Sequence, residues 1–360
     1  MKISRRVLLS LLLIMGTVLG TSPVLADKWV GSPPGLQRAM EVQDRNTDHL
    51  LTVPGVVGTA IGFRGDGAPV VLVLTEHALV GGLPKSLEGL PVLARVSGKI
   101  YARHHRAGHG GGPGNEDPTP PEEPSNSCPE ATDPKARIDR PVCIGSSTGH
   151  PSITAGTIGA RVTDGTDVYA LSNNHVYAYE NQAVFGDNAL QPGDFDGGVD
   201  PADVIGTLFD FEPITFSDTA NNLMDAAIAL SSTANLSNIT LSNGYGVPKS
   251  TTQTASLNLK VKKYGRTTKL TKGVVFAINA TVDVNYSNGV AQFVDQIIIT
   301  PGDFSAPGDS GSLIVVDGKG RNKGDDRKPV GLLFAGSALM TIASPIDVVL
   351  DRFGVTIDGE

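Results

Sequence analysis

Residues 307–312, with the sequence PGDSGS, contain the side chain of this chain that is best suited to chemistry, the hydroxyl of Ser310. A serine in a glycine-rich turn keeps its hydroxyl accessible, and the bend lets backbone N–H groups converge on a developing oxyanion. The N–H groups of Gly308 and Ser310 are the expected donors. Taken alone, this short pattern fits a plain β-turn equally well, so a catalytic interpretation needs partners elsewhere in the chain.

A serine hydroxyl becomes a strong nucleophile only when a neighbouring base removes its proton. The chain has seven histidines, and His150 and His175 lie in the strand-rich part that also contains the serine. His175 follows an apolar, strand-like run and a polar turn, whereas His150 lies among Gly and Ser residues. We therefore predict that His175 is the base, against the alternative of a structural histidine at a strand end.

The imidazolium that forms during such a reaction needs an anion that fixes its tautomer and stabilises its charge. Asp225 lies at the start of the apolar run 226–230, where its carboxylate is expected to be partly buried and in need of a partner. Asp210 and Asp218 are the alternatives, but both lie in more loop-like sequence. Asp225 is therefore the predicted third member of a catalytic triad.

Residues 128–360 contain many short apolar runs between turns, a pattern typical of an all-β barrel or sandwich. The end of the chain, residues 345–353, is predicted as a short helix that begins at Pro345. The predicted strands, rich in Val, Ile, Thr and Phe, are residues 153–162, 168–172, 204–211, 226–230, 257–264, 273–286, 293–300, 312–316, 329–334 and 340–343.

Residues 27–103 are predicted to form a small α+β module in front of this domain. Apolar residues from Leu36 to Leu51 have helical spacing, and a Pro-Gly pair directly after them ends the helix. An Asp-Gly turn then joins two apolar runs into a hairpin. The strands predicted in this module are residues 56–63, residues 70–74 and a further strand or strand pair over residues 90–101.

Residues 104–127 have no apolar periodicity and are dense in Gly, Pro and acidic residues, so we predict a flexible linker. The histidines at 104, 105 and 109 suggest a metal-binding tract as the alternative, but a solvated segment is the favoured interpretation. An exposed linker of this kind is also accessible to proteolytic processing.

The first 26 residues have the organisation of a secretory signal peptide. Basic residues precede an apolar run from Val7 to Leu19, and the sequence VLA that ends at Ala26 matches a cleavage site. A membrane anchor is the alternative, but the apolar run is shorter than the ~20 residues that a spanning helix needs. We expect cleavage after Ala26 and a secreted protein, extracellular or periplasmic, without stable membrane insertion.

The two cysteines, Cys128 and Cys143, are expected to form a disulfide, because an exported chain with an even number of closely spaced cysteines usually pairs them. Closing this loop is worth about 3 kcal/mol in the chain-entropy account, whose mechanism is disputed. Metal binding by the two thiols is the weaker interpretation, since no further ligands lie at suitable spacing.

The charge pattern argues against nucleic acid as a partner. The net charge is -8, the isoelectric point is near 5.4, and the basic residues are scattered rather than clustered. Residues 186–200 form a loop with four acids among turn residues. Such a loop can hold calcium, but its spacing does not match the EF-hand, and a solvated loop is favoured. We therefore predict no metal and no cofactor.

The order His, Asp, Ser resembles that of the chymotrypsin-type (trypsin-like) serine proteases. Residues 264–286, with the sequence YGRTTKLTKGVVFAINATVDVNY, are similar to the GRTTG, GTITA and NVTVNY run of the bacterial alpha-lytic protease and streptogrisin branch. The resemblance covers residues 143–353. It implies a double six-stranded β-barrel whose active site lies in the cleft between the barrels.

The chain departs from this family at several positions. Asn173 and Asn174 replace the usual Ala or Gly pair before the histidine, and Lys269 replaces the last glycine of GRTTG. Residues 331–336 correspond to the wall of the family's specificity pocket, with Phe334 at the place of a common serine. The substrate pocket that the resemblance implies is formed by Phe304, Phe334, Ala335 and Gly336.

The predicted function is that of a secreted serine endopeptidase, which cleaves protein or peptide substrates through an acyl-enzyme intermediate. A catalytically silent secreted binding protein with the same fold is the alternative. An α/β-hydrolase esterase is disfavoured, because its chain order is Ser, acid, His. The resemblance also gives the N-terminal module a role as a propeptide, acting as intramolecular inhibitor or folding assistant, and a permanent substrate-binding domain is the other interpretation.

Overall fold

The computed structural model describes residues 35–102 and 133–360. Residues 1–26, the predicted linker 104–127 and Cys128 lie outside the described residues. The signal peptide, the linker with its histidines and the pairing of Cys128 with Cys143 therefore stay predictions. No helix within the described ranges is long and apolar enough to cross a membrane.

The described part of the N-terminal module, residues 35–102, is a helix followed by strands, as its sequence pattern predicts. Helix α1 (Leu36–Leu51) buries Leu36, Ala39, Val42 and Leu50 and packs against the first two strands. The strands are β1 (Val56–Phe63), β2 (Pro69–Thr75), β3 (Ser86–Leu87), β4 (Leu90–Val96) and β5 (Ile100–Ala102).

The rest of the chain is built mainly from strands, with helices α2 (Asn174–Tyr177) and α3 (Ile346–Phe353) among them. The strands are β6 (Val142–Ile144), β7 (Ser147–Thr148), β8 (Gly156–Thr157), β9 (Ala160–Thr163), β10 (Val168–Ser172), β11 (Asn188–Leu190), β12 (Val204–Phe211), β13 (Ala227–Ser231), β14 (Leu236–Thr240), β15 (Lys260–Gly265), β16 (Lys269–Tyr286), β17 (Gly289–Thr300), β18 (Leu313–Val316), β19 (Pro329–Gly336), β20 (Thr341–Pro345) and β21 (Thr356–Ile357).

The protein is mainly β, and residues 133–360 form the two β-barrels that were expected. The first contains a six-stranded sheet in the order β11-β12-β13-β10-β9-β21, with Ala170, Ile205 and Ala229 in its core. In the second, β15, β18, β19, β20, β17 and β16 follow one another, and a further pairing of β15 with β16 closes the barrel. Its core includes Phe293 and Ile298.

The N-terminal module extends the sheet of the second barrel. Strand β1 pairs with β2 as the predicted hairpin and, on its other edge, with β16. Gly58 in β1 allows this close approach, since a Cβ there would lie 2.5 Å from the carbonyl oxygen of Thr281. Helix α1 adds a contact through Gln43, whose side-chain amide donates to the carbonyl of Asn279 at 2.7 Å. Module and barrel therefore share one continuous sheet.

Most predicted elements agree with the structure within a few residues, and residues 168–172 and 204–211 agree at both ends. The single strand predicted over residues 153–162 is wrong, because only β8 and the start of β9 are extended there. Between them lies Gly159, where a Cβ would come within 2.2 Å of the carbonyl oxygen of Gly311. The chain packs against the serine turn at this point, so it cannot continue as one strand.

Candidate active site

His175 and Asp225 are in direct contact. His175 lies in α2 directly after β10, and Asp225 lies just before β13, the strand that pairs with β10. Nδ1 of His175 is 2.5 Å from Oδ2 of Asp225, and the backbone N–H of His175 donates to Oδ1 at 3.2 Å. Because an ionised carboxylate only accepts hydrogen bonds, this contact assigns a proton to Nδ1. Nε2 is then the basic nitrogen, as general base catalysis requires.

The two asparagines before the histidine hold the α2 turn in place. Asn173 donates from its side chain to the carbonyl of Asp225 at 2.7 Å, which links the turn to the start of β13. Asn174 donates to the carbonyl of Glu212 at 2.7 Å. Small side chains such as Ala or Gly offer no donor for these two carbonyls. The departure from the family pattern thus has a local structural role.

The turn that carries Ser310 is held by the fully buried carboxylate of Asp309. This carboxylate accepts the backbone N–H of Thr267 and the hydroxyl of Thr268, at 2.8 and 2.7 Å. Nζ of Lys263, which is also fully buried, lies 3.4 Å from it. Burial lowers the pKa of Lys263 more than the neighbouring carboxylate raises it. The ion pair and the hydrogen bonds together fix the backbone of the turn that carries Ser310.

Ser310 is fully buried, so the expectation of an accessible hydroxyl is wrong for this structure, in which the turn packs against the segment that carries the histidine. The N–H of Thr157 donates to the carbonyl of Ser310 at 2.7 Å. The preceding residue, Gly156, fits between this carbonyl and Val176, the neighbour of His175. A Cβ on Gly156 would lie 3.1 Å from the Ser310 oxygen and 2.5 Å from a methyl group of Val176. The serine turn and helix α2 therefore meet across a single glycine.

The two predicted oxyanion donors lie in a turn with positive φ angles. Gly308 has a φ of 96° and Gly311 a φ of 90°, conformations that residues with a Cβ rarely adopt. The N–H groups of Asp309 and Gly311 donate to backbone carbonyls. Within residues 35–102 and 133–360, no oxygen accepts a hydrogen bond from the N–H of Gly308 or Ser310. This arrangement is consistent with the role predicted for these two groups.

A cavity of about 840 Å³ adjoins the histidine. Both barrels and the N-terminal module contribute to its walls. The residues that line it include Tyr101, Ala102, His175, Tyr286, Pro307 and Gly336.

Strand β5 of the module occupies the groove beside this cavity. It pairs antiparallel with β19, with Ala102 opposite Ala335 and Tyr101 opposite Gly336, and it pairs in parallel with the end of β16. Ile100 and Ala102 are buried, whereas Tyr101 is half exposed. An extended segment of the chain itself therefore fills the groove between β16 and β19.

The four residues predicted for the substrate pocket lie in two different environments. Ala335 and Gly336 pair with β5, and Gly336 also lines the cavity. Phe334 is fully buried in the core of the second barrel, and its carbonyl accepts a hydrogen bond from the hydroxyl of Ser310 at 3.4 Å. Phe304 is buried as well. The structure thus brings Ala335 and Gly336 to the groove, while neither phenylalanine ring is part of the described cavity wall.

Sequence reasoning missed one contact of Asp225, the predicted triad acid. The hydroxyl of Tyr286 donates to Oδ2 of Asp225 at 2.8 Å. Burial, together with the charge of Asp225, raises the pKa of Tyr286 well above its ordinary value. The only signal in the sequence is the position of this tyrosine at the end of the run 264–286, since no local spacing connects it with Asp225.

Three of the four acids in the loop 186–200 have side-chain partners within the described residues. No group of three or more His, Cys, Asp or Glu side chains in the described ranges is placed to hold a metal ion. The pairs in this loop are Asp187 with His150, Asp196 with Arg266, and Asp200 with Asn188.

Comparison with known proteins gives one family and several solved structures. Residues 139–343 match the model of the family described as the Nal1 C-terminal domain. A glutamic acid-specific serine protease that uses a histidine triad in substrate binding is 24% identical, and the match covers 60% of this chain and 100% of that one with a TM-score of 0.43. Protease A of Thermobifida fusca is 16% identical over 61% of this chain and 98% of its own, with a TM-score of 0.43. The Nocardiopsis protease NAPase is 16% identical over 60% of this chain and 97% of its own, with a TM-score of 0.41. No protein with a curated description matches this chain.

Proposed function

The chain belongs to the family of the Nal1 C-terminal domain, and we propose that this member is a secreted serine endopeptidase. The matched region contains His175, Asp225 and Ser310. In the proposed reaction His175 takes the proton of Ser310, the serine oxygen attacks the peptide carbonyl, and the N–H groups of Gly308 and Ser310 stabilise the oxyanion. His175 then donates its proton to the leaving amine, and water hydrolyses the acyl-enzyme with the same histidine as base.

The contact between His175 and Asp225 carries this proposal. Their side chains are 1% and 0% exposed, so water does not weaken the attraction between carboxylate and imidazolium. Such a carboxylate orients the imidazole and stabilises the positive charge that forms when the serine proton is taken. A histidine with a purely structural role would not require that a serine turn with positive-φ glycines packs against the α2 turn that carries the histidine. The combination therefore favours chemistry over packing.

We also propose that the N-terminal module is an intramolecular inhibitor, with assistance in folding as a second role. Extended peptides commonly bind by adding a strand to a sheet edge, through main-chain hydrogen bonds that do not depend on sequence. Strand β5 uses the edge of β19 in this way. Any extended substrate that approaches the same edge must displace β5. A permanent substrate-binding domain would have to leave this edge open.

Secretion and processing are proposed from the segments at residues 1–26 and 104–127. The first has the organisation of a signal peptide, and the second is rich in the residues that keep a chain exposed to proteases. Within the trypsin-like proteases, the run 264–286 supports a place in the alpha-lytic protease and streptogrisin branch. The mass of the secreted protein tests both cleavages.

The test of the enzyme proposal combines peptide hydrolysis with labelling by a fluorophosphonate, which reacts with an activated serine. After cleavage of the linker, Ser310→Ala should abolish both readouts and leave the circular dichroism spectrum unchanged. Ser250→Ala is the matched control, because Ser250 is exposed and, among the described residues, its hydroxyl donates to the carbonyl of Glu360 alone. Equal hydrolysis by the Ser310→Ala variant would refute the proposal. Failure of the linker-cleaved parent to react would favour the silent binding protein.

A further inference from the structure

The carboxylate of Asp225 receives hydrogen bonds on both oxygens. Oδ2 accepts the hydroxyl of Tyr286 at 2.8 Å and lies 2.5 Å from Nδ1 of His175. Oδ1 accepts the backbone N–H of His175 at 3.2 Å. Among the residues that the structure describes, Tyr286 is thus the neutral side chain that completes the hydrogen bonding of the triad acid. All three side chains are buried.

The orientation of the Asp225 carboxylate determines the orientation of the His175 imidazole. With the phenol in place, the carboxylate cannot rotate about its Cβ–Cγ bond without breaking two hydrogen bonds on Oδ2. Without the phenol, Oδ2 keeps only the imidazole as partner, and the buried charge is less well compensated. The phenol therefore acts on His175 through Asp225.

The ring of Tyr286 is held on several sides. Phe216 packs edge-on against it with ring centroids 5.7 Å apart, and the ring of Phe293 lies 6.1 Å away. The hairpin that follows Tyr286 is tied to the first barrel by Glu180, which accepts the hydroxyl of Ser287 at 2.7 Å. The packing thus presents the phenol hydroxyl to the triad acid before any substrate binds.

The phenol also remains a donor. Burial and the charge of Asp225 raise the pKa of Tyr286 well above its ordinary value of 10.0, so it is neutral wherever a histidine works as a base. A neutral phenol beside a carboxylate donates its proton, so the direction of the hydrogen bond is fixed.

We propose that Tyr286 is a positioning residue of the triad, whose hydroxyl holds the carboxylate of Asp225 in the orientation that aligns His175 with Ser310. The kinetic part of this inference rests on the proposed function. Its structural part, the effect on the imidazole, does not. The two parts are therefore tested separately.

The kinetic test uses Tyr286→Phe, which removes the hydroxyl and keeps the ring. We expect kcat to fall about tenfold to hundredfold, in line with the loss of one hydrogen bond to a charged group. KM should change little, because the substitution keeps the ring in the cavity wall and the backbone of β16, and removes only the hydroxyl that faces Asp225. The acid limb of the pH–rate profile should move to higher pH, since a carboxylate with fewer donors attracts the imidazolium proton more strongly.

Tyr264→Phe is the matched control. Tyr264 is buried in β15, and its hydroxyl donates to Oδ1 of Asn243 at 2.6 Å, so the substitution removes the same atom from a similar environment. Tyr286→Phe should lose the larger free energy of unfolding, because its hydroxyl donates to a carboxylate and that of Tyr264 to a neutral amide. Only Tyr286→Phe should change kcat and the acid limb, because a purely structural role would leave the acid limb in place.

The second readout needs no turnover and uses the full chain with Ser310→Ala. The low-field NMR resonance of the Nδ1 proton of His175 should move in Tyr286→Phe and stay in Tyr264→Phe. Replacing Tyr286 by 3-fluorotyrosine keeps the shape and makes the hydroxyl a stronger donor, so it should move the resonance in the opposite direction. This substitution tests the inference even when Tyr286→Phe does not fold.

The outcomes separate the inference from the proposed function. A resonance that stays in place with both substitutions at 286, or an unchanged kcat and acid limb in Tyr286→Phe, overturns the positioning role. A parent that hydrolyses no peptide but shows the expected shifts of the resonance overturns the enzyme proposal and supports the role of Tyr286 in orienting the imidazole.

Discussion

Ala102 pairs with Ala335 in antiparallel register, and the residue before Ala335 is Phe334, whose carbonyl oxygen accepts a hydrogen bond from the hydroxyl of Ser310 at 3.4 Å. The last described residue of the N-terminal module therefore pairs with the residue next to the one whose carbonyl contacts Ser310. Because side chains alternate along a strand, Ile100 and Ala102 are buried while Tyr101 remains 51% exposed. The buried side chains of β5 are thus the ones that hold it in the groove.

Ile100→Asp should release β5 from this groove. Ile100 is fully buried among the apolar residues of the second barrel, and an unpaired carboxylate in such a place costs several kcal/mol. We expect fluorophosphonate to label Ser310 in the uncleaved chain at least about tenfold faster than in the parent. The measurement is the rate of mass increase of the intact chain.

The control for this prediction is Leu79→Asp. It introduces the same charge at a position of the module that is 99% exposed, so labelling should keep the parent's rate. Slow labelling of the Ile100→Asp chain would contradict the inhibitor proposal. Fast labelling of the uncleaved parent would show that β5 does not restrict access and would favour a permanent accessory domain.

Gly311→Ala should damage the serine turn far more than a similar change elsewhere. A Cβ on Gly311 would lie 2.2 Å from the hydroxyl of Ser172 and 2.3 Å from the carbonyl oxygen of Thr157, which are hydrogen-bonded to each other. Gly165 has a similar φ of 95° but open space around it. Each alanine costs about 1 kcal/mol for its backbone conformation, and the clash at 311 adds about 1 to 3 kcal/mol.

Urea unfolding and peptide hydrolysis check this prediction together. Gly165→Ala should be slightly less stable than the parent and fully active after linker cleavage. Gly311→Ala should lose more of the free energy of unfolding and most of its activity. Equal stability losses in the two variants would show that the turn can relax around an added methyl group.

Local signals explain what could be predicted from the sequence. Residues 168–172 and 204–211 are apolar over a whole strand, and their bounds agree with β10 and β12. His175 and Asp225 each adjoin such a strand, and this position is the signal that predicts them. Since β10 and β13 pair with Ser172 opposite Ala227, the residues beyond these strand ends are neighbours, and the structure brings the two together.

Contacts between distant segments explain what could not be predicted. Strand β5 has three residues and no pattern of its own, and its place depends on docking between β16 and β19. Tyr286 reaches Asp225 across 61 residues of chain. The family resemblance predicts Phe334 in the pocket wall, but its ring lies in the core of the second barrel, with its centroid 4.7 Å from that of Phe293. The sequence around these residues gives no indication of these contacts.

Asp196→Ala should strongly destabilise the protein by leaving a buried guanidinium without its partner. Nε of Arg266 donates to Asp196 at 2.7 Å, and the two side chains are 2% and 7% exposed. Removing one member of such a pair typically costs about 3 to 5 kcal/mol. Adding Arg266→Met to the Asp196→Ala variant should recover much of the lost free energy of unfolding. The exposed pair of Arg45 with Glu88 is the control, and Glu88→Ala should change the free energy of unfolding little.

A double-mutant cycle by urea unfolding measures this coupling. The double variant should lose less free energy of unfolding than the sum of the losses in the two single variants. Additive losses would mean that the buried pair is not coupled.

Alkaline pH should weaken the fold through its buried tyrosines. Burial raises the pKa of both Tyr169 and Tyr264 to about 12, and the carboxylate of Asp164 adds to the effect on Tyr169. In the unfolded chain these phenols ionise near pH 10. Between about pH 10 and 12 the unfolded state therefore releases protons that the folded state keeps. The stabilising contribution of these phenols is fully present below about pH 10 and is lost as the pH rises to about 12. For Tyr264 alone the loss is roughly 2 kcal/mol.

The measurement is urea unfolding at several pH values, with near-ultraviolet absorbance as the report of tyrosinate. Tyr264→Phe loses the hydrogen bond to Asn243 and should be less stable than the parent at neutral pH. Its stability should nevertheless fall less steeply above about pH 10, because one of the phenols that ionise on unfolding is gone. Parallel curves for the two proteins would show that this phenol ionises equally in the folded and unfolded states.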